Sequence, residues 1–313
     1  MPELTGITSQ HPAIQSWEVG PSRFRVLPEY GARLMDWRIA LPRSAERTVI
    51  YWPEDTGSVP LSEVRGGNPI LFPFSGRCTH EGSGHRWKTP DGTVRDIPMH
   101  GIARQGRFQV VETDGSGFVA EFHPDDDALA SYPFAHTFRV SYRFSELAFT
   151  ATFTLENQDR LPIPWAAGHH FYFQLPWHPE SGREHYRILV PSKHAVRLSR
   201  DGVLTRDPEY VPEALPADLS FADPAQINRI FMKWRSGIIR FGPRNGEEDV
   251  VVQIGEGGKP SPIVSLVTWT ESPESPFYCV EPWMGPPNAP GTGKVHWVRP
   301  GATAAFDVTV RLA

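Results

Sequence analysis

Two adjacent histidines within an aromatic run are the residues of this chain whose types best suit acid–base chemistry. The run is Gly168-His169-His170-Phe171-Tyr172-Phe173, and it follows a segment interrupted by Pro162 and Pro164. This pattern is typical of a strand that enters a polar pocket. Alternate side chains of a strand face opposite sides. His169 therefore shares a face with the two phenylalanines, which favour a core, and we predict that His170 and Tyr172 face a cleft. The alternative is that both histidines are hydrogen-bonded core residues, as most buried polar groups are.

A carboxylate in a second strand-like run supplies the other half of an acid–base pair. This run is Phe277-Tyr278-Cys279-Val280-Glu281-Pro282-Trp283. A carboxylate and an imidazole are the minimum set for general acid–base catalysis near neutral pH. Arg77 and His100 could hold hydroxyl groups or stabilise an oxyanion. Four aromatic residues offer flat faces on which a sugar ring could stack, although each could equally belong to the core: Trp87, Trp165, Tyr172 and Trp283.

Other catalytic and ligand-binding motifs are weak in this sequence. Gly255-Glu256-Gly257-Gly258 lacks the Gly-Lys-Ser/Thr spacing of a phosphate loop, and the Gly-x-Ser-x-Gly motif of hydrolases is absent. His80, His85 and His100 lack the compact spacing of a metal site. The acidic run 125–127 is better interpreted as the start of a short helix than as a cation site. We therefore expect neither a metal nor a cofactor.

The elements that must position these residues are β-strands. The chain holds 32 prolines and 27 glycines in 313 residues, which would interrupt long helices often. Apolar and polar residues alternate most clearly over 138–144, 147–155 and 306–312, and the first two segments form a hairpin that turns at Ser145-Glu146. More than a dozen such segments predict an all-β fold, a large twisted antiparallel β-sandwich. A brief helix is expected only near residues 125–130 and 223–233.

Composition excludes several classes of protein. A net charge of −5 gives no general attraction to nucleic acid or to an anionic membrane. No run of about 18 apolar residues exists, and the N-terminus lacks a signal-peptide core. Two cysteines, Cys78 and Cys279, cannot form a disulfide framework. We expect a cytoplasmic protein with reduced thiols, a monomer or homodimer, that binds neither nucleic acid nor membrane.

The chain shows no linker that would divide it. Hydrophobic residues make up 39% of it, which is enough for a sizeable core. We therefore expect a single domain over residues 1–313, with residues 1–15 as a loosely held N-terminal arm.

An ordered set of short segments resembles the aldose 1-epimerase (galactose mutarotase-like) superfamily, nearer its bacterial branch that includes hexose-6-phosphate mutarotases. Their order and spacing match over roughly residues 16–312. The segments are Gly31-Ala32, residues 68–77, His100-Gly101-Ile102-Ala103-Arg104, Tyr132-Pro133-Phe134, residues 168–173 and Cys279-Val280-Glu281-Pro282-Trp283.

The resemblance implies a sugar site on the concave face of a large antiparallel sandwich. It implies that Glu281, before Pro-Trp, is the general base and that His170, not His169, is the acid. It also implies that His100 and Arg77 bind the substrate. This chain departs from many relatives at Asn228, in a segment where they place a substrate-binding aspartate. Asparagine keeps the hydrogen bonding and loses the charge, which puts the usual sugar in question.

These residues predict an enzyme that interconverts the α and β anomers of a hexose. Glu281 as carboxylate would take the proton of the anomeric hydroxyl, while His170 as imidazolium would protonate the ring oxygen. These roles require that the carboxylate helps to keep His170 charged. The ring would open, the C1–C2 bond would rotate, and the ring would close with the two roles reversed. The substrate would be held by five further residues: Arg77, His100, Asn228, Tyr172 and Trp283.

Two questions stay open at the level of sequence. The first is whether the sugar carries a phosphate, for which Arg86, Lys88 and Arg104 are candidate ligands. The second is whether the protein turns its ligand over. The main alternative is a carbohydrate-binding or regulatory protein that keeps the same pocket, and a polysaccharide lyase or glycosidase would need a longer cleft.

Overall fold

The structure is a computed structural model that describes residues 14–41, 46–56, 59–178, 180–198, 204–205, 218–246 and 248–313. Residues 1–13 of the expected N-terminal arm lie outside this range, and the first strand begins at Gln15.

Strands account for most of the regular structure. In the first half of the chain they are β1 (Gln15–Val19), β2 (Ser22–Leu27), β3 (Arg33–Ile39), β4 (Arg47–Ile50), β5 (Ile70–Leu71), β6 (Thr79–His80), β7 (Ser83–Gly84), β8 (Arg86–Lys88), β9 (Val94–Asp96), β10 (Arg107–Asp114), β11 (Gly117–His123), β12 (His136–Ser145) and β13 (Ala148–Asn157). In the second half they are β14 (Ile163–Trp165), β15 (Gly168–His169), β16 (Phe171–Gln174), β17 (Tyr186–Leu189), β18 (Ser192–Leu198), β19 (Leu204–Thr205), β20 (Leu219–Ser220), β21 (Arg229–Trp234), β22 (Ile238–Pro243), β23 (Val250–Ile254), β24 (Ser265–Trp269), β25 (Phe277–Trp283), β26 (His296–Val298) and β27 (Thr303–Leu312).

Helical segments in the described residues are short. The two α-helices are α1 (Asp126–Ser131) and α2 (Ala289–Thr292), and the 3₁₀ turns are Arg183–His185, Pro224–Gln226 and Glu256–Gly258.

Two large antiparallel sheets form the sandwich. The first has twelve strands, in the order β1-β2-β3-β4-β16-β25-β24-β21-β18-β19, with β15 pairing with both β25 and β5. The second has nine, in the order β10-β11-β12-β13-β27-β23-β22-β17-β20. The predicted all-β antiparallel sandwich is thereby confirmed.

The core between the sheets fixes which face of the aromatic run is buried. On β13 every second residue is buried, and these side chains pack against the first sheet. Phe149 lies 5.8 Å from Phe171, and Phe153 lies 4.1 Å from His169, measured between ring centroids. Burying a phenylalanine side chain contributes about 1.5–3 kcal/mol. A one-residue slip of β16, which would exchange its two faces, would lose several such contributions and is therefore strongly disfavoured.

Most local predictions agree with the observed elements. Strands β12 and β13 form the predicted hairpin, whose last pair is Ser145 with Ala148. Helix α1 begins where the acidic run was expected to start a helix, and the Asp125 carboxylate accepts a hydrogen bond of 2.9 Å from the Ala128 N–H.

The helix expected over 223–233 is wrong. A single 3₁₀ turn, Pro224–Gln226, gives way to strand β21. Ile230 and Phe231 are buried and pair with Val267 and Leu266 of β24. Branched and aromatic side chains fit a half-buried pleated surface, so tertiary pairing decides the conformation here.

Two other expectations can be compared with the structure. Cys78 and Cys279 are both free thiols, which agrees with the expected reduced state, and both are buried. Within the described ranges, no helix has the length and apolar character needed to cross a membrane.

Candidate active site

A cavity of about 710 Å³ lies against β16, β25 and β24 of the twelve-stranded sheet. Loops before β5 and after it complete the wall. All seven site residues predicted from the sequence line this cavity, namely Arg77, His100, His170, Tyr172, Asn228, Glu281 and Trp283.

Strand register brings His170 and Glu281 together. Strands β16 and β25 run antiparallel, with Phe171 opposite Val280 and Tyr172 opposite Cys279. The same register places His170 opposite Glu281, and the His170 Nε2 atom lies 3.4 Å from Glu281 Oε2. Directly opposed residues of neighbouring strands project on the same face. A pair that is 111 positions apart in sequence therefore meets without help from any loop.

The two adjacent histidines face opposite sides, as the alternation predicted. His170 and Tyr172 line the cavity, and their rings stack at 4.8 Å. His169 is fully buried and stacks on Phe171 at 4.9 Å. Burial lowers the pKa of His169 to about 3, so its ring is neutral.

The Asn68 side chain fixes the backbone between the two histidines. Its Oδ1 atom accepts a hydrogen bond of 3.0 Å from the His170 N–H, and its Nδ2 group donates to the Tyr142 hydroxyl at 2.7 Å. The same Nδ2 group lies 3.0 Å from Nδ1 of His169, which must act as an acceptor because an amide NH₂ only donates. Asn68 belongs to the family-like segment 68–77, but no function was predicted for it from the sequence.

His100 stands beside the pair as a neutral ring. The Gly76 N–H donates to His100 Nδ1 at 3.2 Å, so the proton of the neutral imidazole sits on Nε2. Burial lowers the pKa of His100 to about 3, and the charge of Arg104 adds to the decrease. The His100 ring lies 5.4 Å from that of His170 and 5.9 Å from that of Trp283. It can exchange hydrogen bonds with a hydroxyl but supplies no positive charge.

Burial changes the protonation expected for the central pair. It raises the pKa of Glu281 well above the ordinary value, and the neighbouring Trp283 side chain opposes this increase. Burial also lowers the pKa of His170 well below its ordinary value, and the positive charge of Arg104 adds to the decrease. Both shifts oppose the expectation that Glu281 keeps His170 charged, because desolvation is the largest cause of each. Desolvation thus favours the neutral form of each group, a protonated carboxyl beside an unprotonated imidazole.

Three arginines line the cavity. Arg65 bonds to Glu271 at 3.0 Å and lies 5.1 Å from the Trp269 ring. Neither Arg77 nor Arg104 has a hydrogen-bonded carboxylate among the described residues. Of the three candidate phosphate ligands only Arg104 lines the cavity, and Arg86 instead pairs with Asp96 at 3.0 Å on the exposed β8–β9 hairpin.

The aromatic candidates divide between the cavity and the core. Trp283 and Tyr172 line the cavity, whereas Trp87 and Trp165 are buried in the core and cannot meet a ligand. Sequence reasoning missed Trp269, which lines the cavity with its ring 6.0 Å from that of His170. Its position at the end of an alternating strand was the available signal.

Arg33 is a second residue that the sequence did not reveal. It is fully buried and donates to the carbonyl oxygens of Leu61, Val64 and Gly66 at 2.5–2.6 Å. Residues 62–65 of this loop line the cavity. Burial lowers the pKa of Arg33 to about 9. A single guanidinium therefore holds the loop that carries Arg65, and the sequence of β3, with three charged residues among seven, does not distinguish Arg33 from the others.

Asn228 lines the cavity from the turn before β21. Its φ is +58°, in the left-handed region that asparagine tolerates better than most residues. The residue thus has a backbone reason to be asparagine, besides any contact with a ligand.

The family follows from comparison with known proteins. A family model described as aldose 1-epimerase matches residues 25–257. The chain belongs to the aldose 1-epimerase family. Among curated proteins, LacX (chromosomal) of Lactococcus lactis subsp. lactis is 21% identical over 264 residues, which span 78% of this chain and 85% of LacX.

Several solved structures share the fold. Slr1438 from Synechocystis sp. PCC 6803 superposes with a TM-score of 0.78 at 20% identity, over 98% of both chains. A galactose mutarotase related enzyme from Lactobacillus acidophilus gives 0.77 at 16% identity, over 96% of this chain and 97% of that one. A galactose mutarotase-like protein from Clostridium acetobutylicum gives 0.77 at 16% identity, over 95% and 94%.

Gly101, next to His100, allows a test of how closely the His100 turn packs against Phe72. Its φ is +79°, and a Cβ atom added there would lie 2.0 Å from the Phe72 carbonyl oxygen. Gly82 has a φ of +80° and no heavy atom within 4 Å of its added Cβ. Both Gly→Ala changes bear the same backbone strain of about 1–2 kcal/mol. We expect Gly101→Ala to lose at least about 1–3 kcal/mol more in free energy of unfolding, the usual cost of overpacking.

Urea unfolding of Gly101→Ala, Gly82→Ala and the wild type measures this difference. Equal losses in the two variants would show that the His100 turn is not held against Phe72.

Proposed function

We propose that this protein is an aldose 1-epimerase that interconverts the α and β anomers of a hexose. The observation that carries the proposal is the Glu281–His170 pair, 3.4 Å apart, at the wall of a cavity of about 710 Å³. Membership of the aldose 1-epimerase family supports it. We further propose that the chain acts as one domain, because side chains from both large sheets share one apolar cluster.

The proposed reaction removes a proton on one side of the anomeric carbon and adds a proton on the other side. Opening the ring requires that the anomeric hydroxyl loses a proton while the ring oxygen gains one. These oxygens lie on different sides of C1, so two separate groups are needed. Glu281 accepts the hydroxyl proton and His170 donates to the ring oxygen. Rotation about C1–C2 and closure with the roles exchanged yield the other anomer and restore the pair, without a cofactor or metal.

A bound sugar would favour the protonation that this cycle needs. Glu281 Oε2 is buried and has no hydrogen-bond partner among the described residues. A sugar hydroxyl that donates to it favours the carboxylate, and the proton then passes to His170 at 3.4 Å. The pair needs one proton in either arrangement. Because burial raises the pKa of Glu281 and lowers that of His170, the one-proton state is lost when the pH rises above the raised pKa of Glu281 or falls below the lowered pKa of His170.

The other cavity residues would hold the sugar. His100 offers its Nε2–H to a hydroxyl, and Arg77 and Asn228 add further donors. Trp283 and Tyr172 provide flat apolar faces against the ring.

The hexose that best fits the cavity carries an anionic group such as a phosphate. Arg77 and Arg104 lack a bonded carboxylate within the described part of the chain, and Asn228 adds no negative charge. Burial lowers the pKa of Arg104, and the charge of Arg65 contributes to the decrease. An anion beside the Arg104 guanidinium would offset the repulsion from Arg65 and form charge-assisted hydrogen bonds.

A panel of free and 6-phosphorylated hexoses tests the activity and the substrate together. Anomer exchange measured by NMR should be accelerated, and more strongly for the phosphorylated sugars. Arg104→Gln should lower the ratio of phosphorylated to free-sugar rates about 10- to 100-fold, since a hydrogen bond to a charged group is worth about 1.5–3 kcal/mol. Arg86→Gln, which changes an exposed arginine outside the cavity, is the matched control.

If Arg104→Gln leaves the ratio of phosphorylated to free-sugar rates unchanged, the proposal of an anionic substrate is wrong. Saturable sugar binding without exchange for any member of the panel would favour the carbohydrate-binding alternative.

The two adjacent histidines give a matched test of the mechanism. His170→Asn should slow exchange by about 10²–10⁴-fold, the usual contribution of a general acid, while sugar binding persists. His169→Asn should lower thermal stability, because His169 stacks within the core, yet retain most turnover per folded molecule. Exchange rates and sugar affinities of both variants measure this. Loss of turnover in folded His169→Asn, together with a fully active His170→Asn, would contradict the assignment of the acid.

A further inference from the structure

A buried thiol lies next to the acid–base pair and has no part in the proposed reaction. Cys279 is opposite Tyr172 in the sheet and two residues before Glu281, so its side chain projects on the same face as the pair. His170, Cys279 and Glu281 each offer one ligand atom, and these three atoms all lie within 4.8 Å of one another. They come from two neighbouring strands, so their spacing is set by the sheet.

We propose that His170, Cys279 and Glu281 form a binding site for a zinc-class divalent cation that inhibits the enzyme. Imidazole nitrogen, thiolate sulfur and carboxylate oxygen are the ordinary ligands of Zn²⁺, with bonds of about 2.0–2.3 Å in a tetrahedral arrangement. That geometry sets ligand atoms roughly 3.3–3.8 Å apart. The His170–Glu281 distance of 3.4 Å already fits, and the thiol needs a shift of about 1 Å.

A second observation points to a ligand at this place. Glu281 is 1% exposed, and its Oε2 atom has no hydrogen-bond partner in the described ranges although it faces His170. A buried acceptor without a partner is costly, and a cation would satisfy it. The nitrogen and sulfur ligands disfavour Mg²⁺ and Ca²⁺, which prefer oxygen alone. With three protein ligands, one position stays open for water or a sugar hydroxyl.

The cation would inhibit because it occupies the lone pairs that carry the proton. Nε2 of His170 and the Glu281 carboxylate cannot bind a metal and exchange a proton with the sugar at the same time. The inhibition rests on the proposed function, whereas the binding itself does not.

Equilibrium dialysis of the full chain against Zn²⁺ tests the binding. We expect one zinc per chain in the wild type and at least 30-fold weaker binding in Cys279→Ala. Cys78→Ala is the matched control, because Cys78 is also a buried free thiol but is not among the three clustered residues. With Co²⁺ in place of zinc, the wild type and Cys78→Ala should show a thiolate-to-metal absorption band that Cys279→Ala lacks. If Cys279→Ala folds poorly, Cys279→Val, which keeps apolar volume on the strand, replaces it.

Anomer exchange with and without Zn²⁺, compared within each variant, tests the inhibition. Zinc should slow the wild type and Cys78→Ala at least 10-fold, a chelator should restore the rate, and Cys279→Ala should lose this sensitivity. Absence of zinc binding, or equal binding by Cys279→Ala, would overturn the site. Cys279-dependent binding without any change in rate would overturn the inhibition. A wild type that exchanges no sugar would defeat the proposed function and leave the dialysis result intact.

Discussion

The hydrogen bonds of one buried amide determine the geometry on which the site depends. Asn68 joins the His170 backbone to the Tyr142 hydroxyl, so the strand run that carries the acid is tied to the nine-stranded sheet behind it. Its backbone N–H donates to the Leu34 carbonyl at 2.8 Å, which ties it also to β3. Each buried group that lost its partner would cost about 1–3 kcal/mol. These bonds and the aromatic core together direct His170 toward the cavity and His169 away from it.

The electrostatics of the cavity follow from burial. A carboxyl group and an imidazole that are removed from water both favour neutrality, and here they lie 3.4 Å apart, within reach of a proton transfer. The arginines that surround them stay charged, and Arg33 meets only carbonyl oxygens. The site thus combines a neutral proton-exchanging centre with a positive rim. That arrangement suits proton transfer to a sugar whose remaining charge, if any, is negative.

The features that depend on neighbouring residues in the sequence could be predicted from it. Alternation placed His170 and Tyr172 on the cavity face, and the hairpin and helix α1 followed from turn and capping signals. Residue chemistry also indicated Arg77, His100, Glu281 and Trp283, whereas Asn228 was identified only through the family resemblance. The features that could not be predicted depend on distant parts of the chain. Trp87 and Trp165 are assigned to the core only by the packing of the sheets. The function of Arg33 depends on the carbonyl groups of residues 61–66 that surround it. The protonation of His170 could not be predicted because it depends on how completely the pocket excludes water.

The most direct test of the account is the anomer-exchange rate of Glu281→Gln at saturating sugar, measured with the sugar affinity of the same variant. Glutamine keeps the shape and the hydrogen bonding of this position and removes the group that accepts the proton. The account predicts that exchange falls by about 10²–10⁴-fold while the affinity changes by only a few fold. A folded Glu281→Gln variant that exchanges anomers at the full wild-type rate would contradict it.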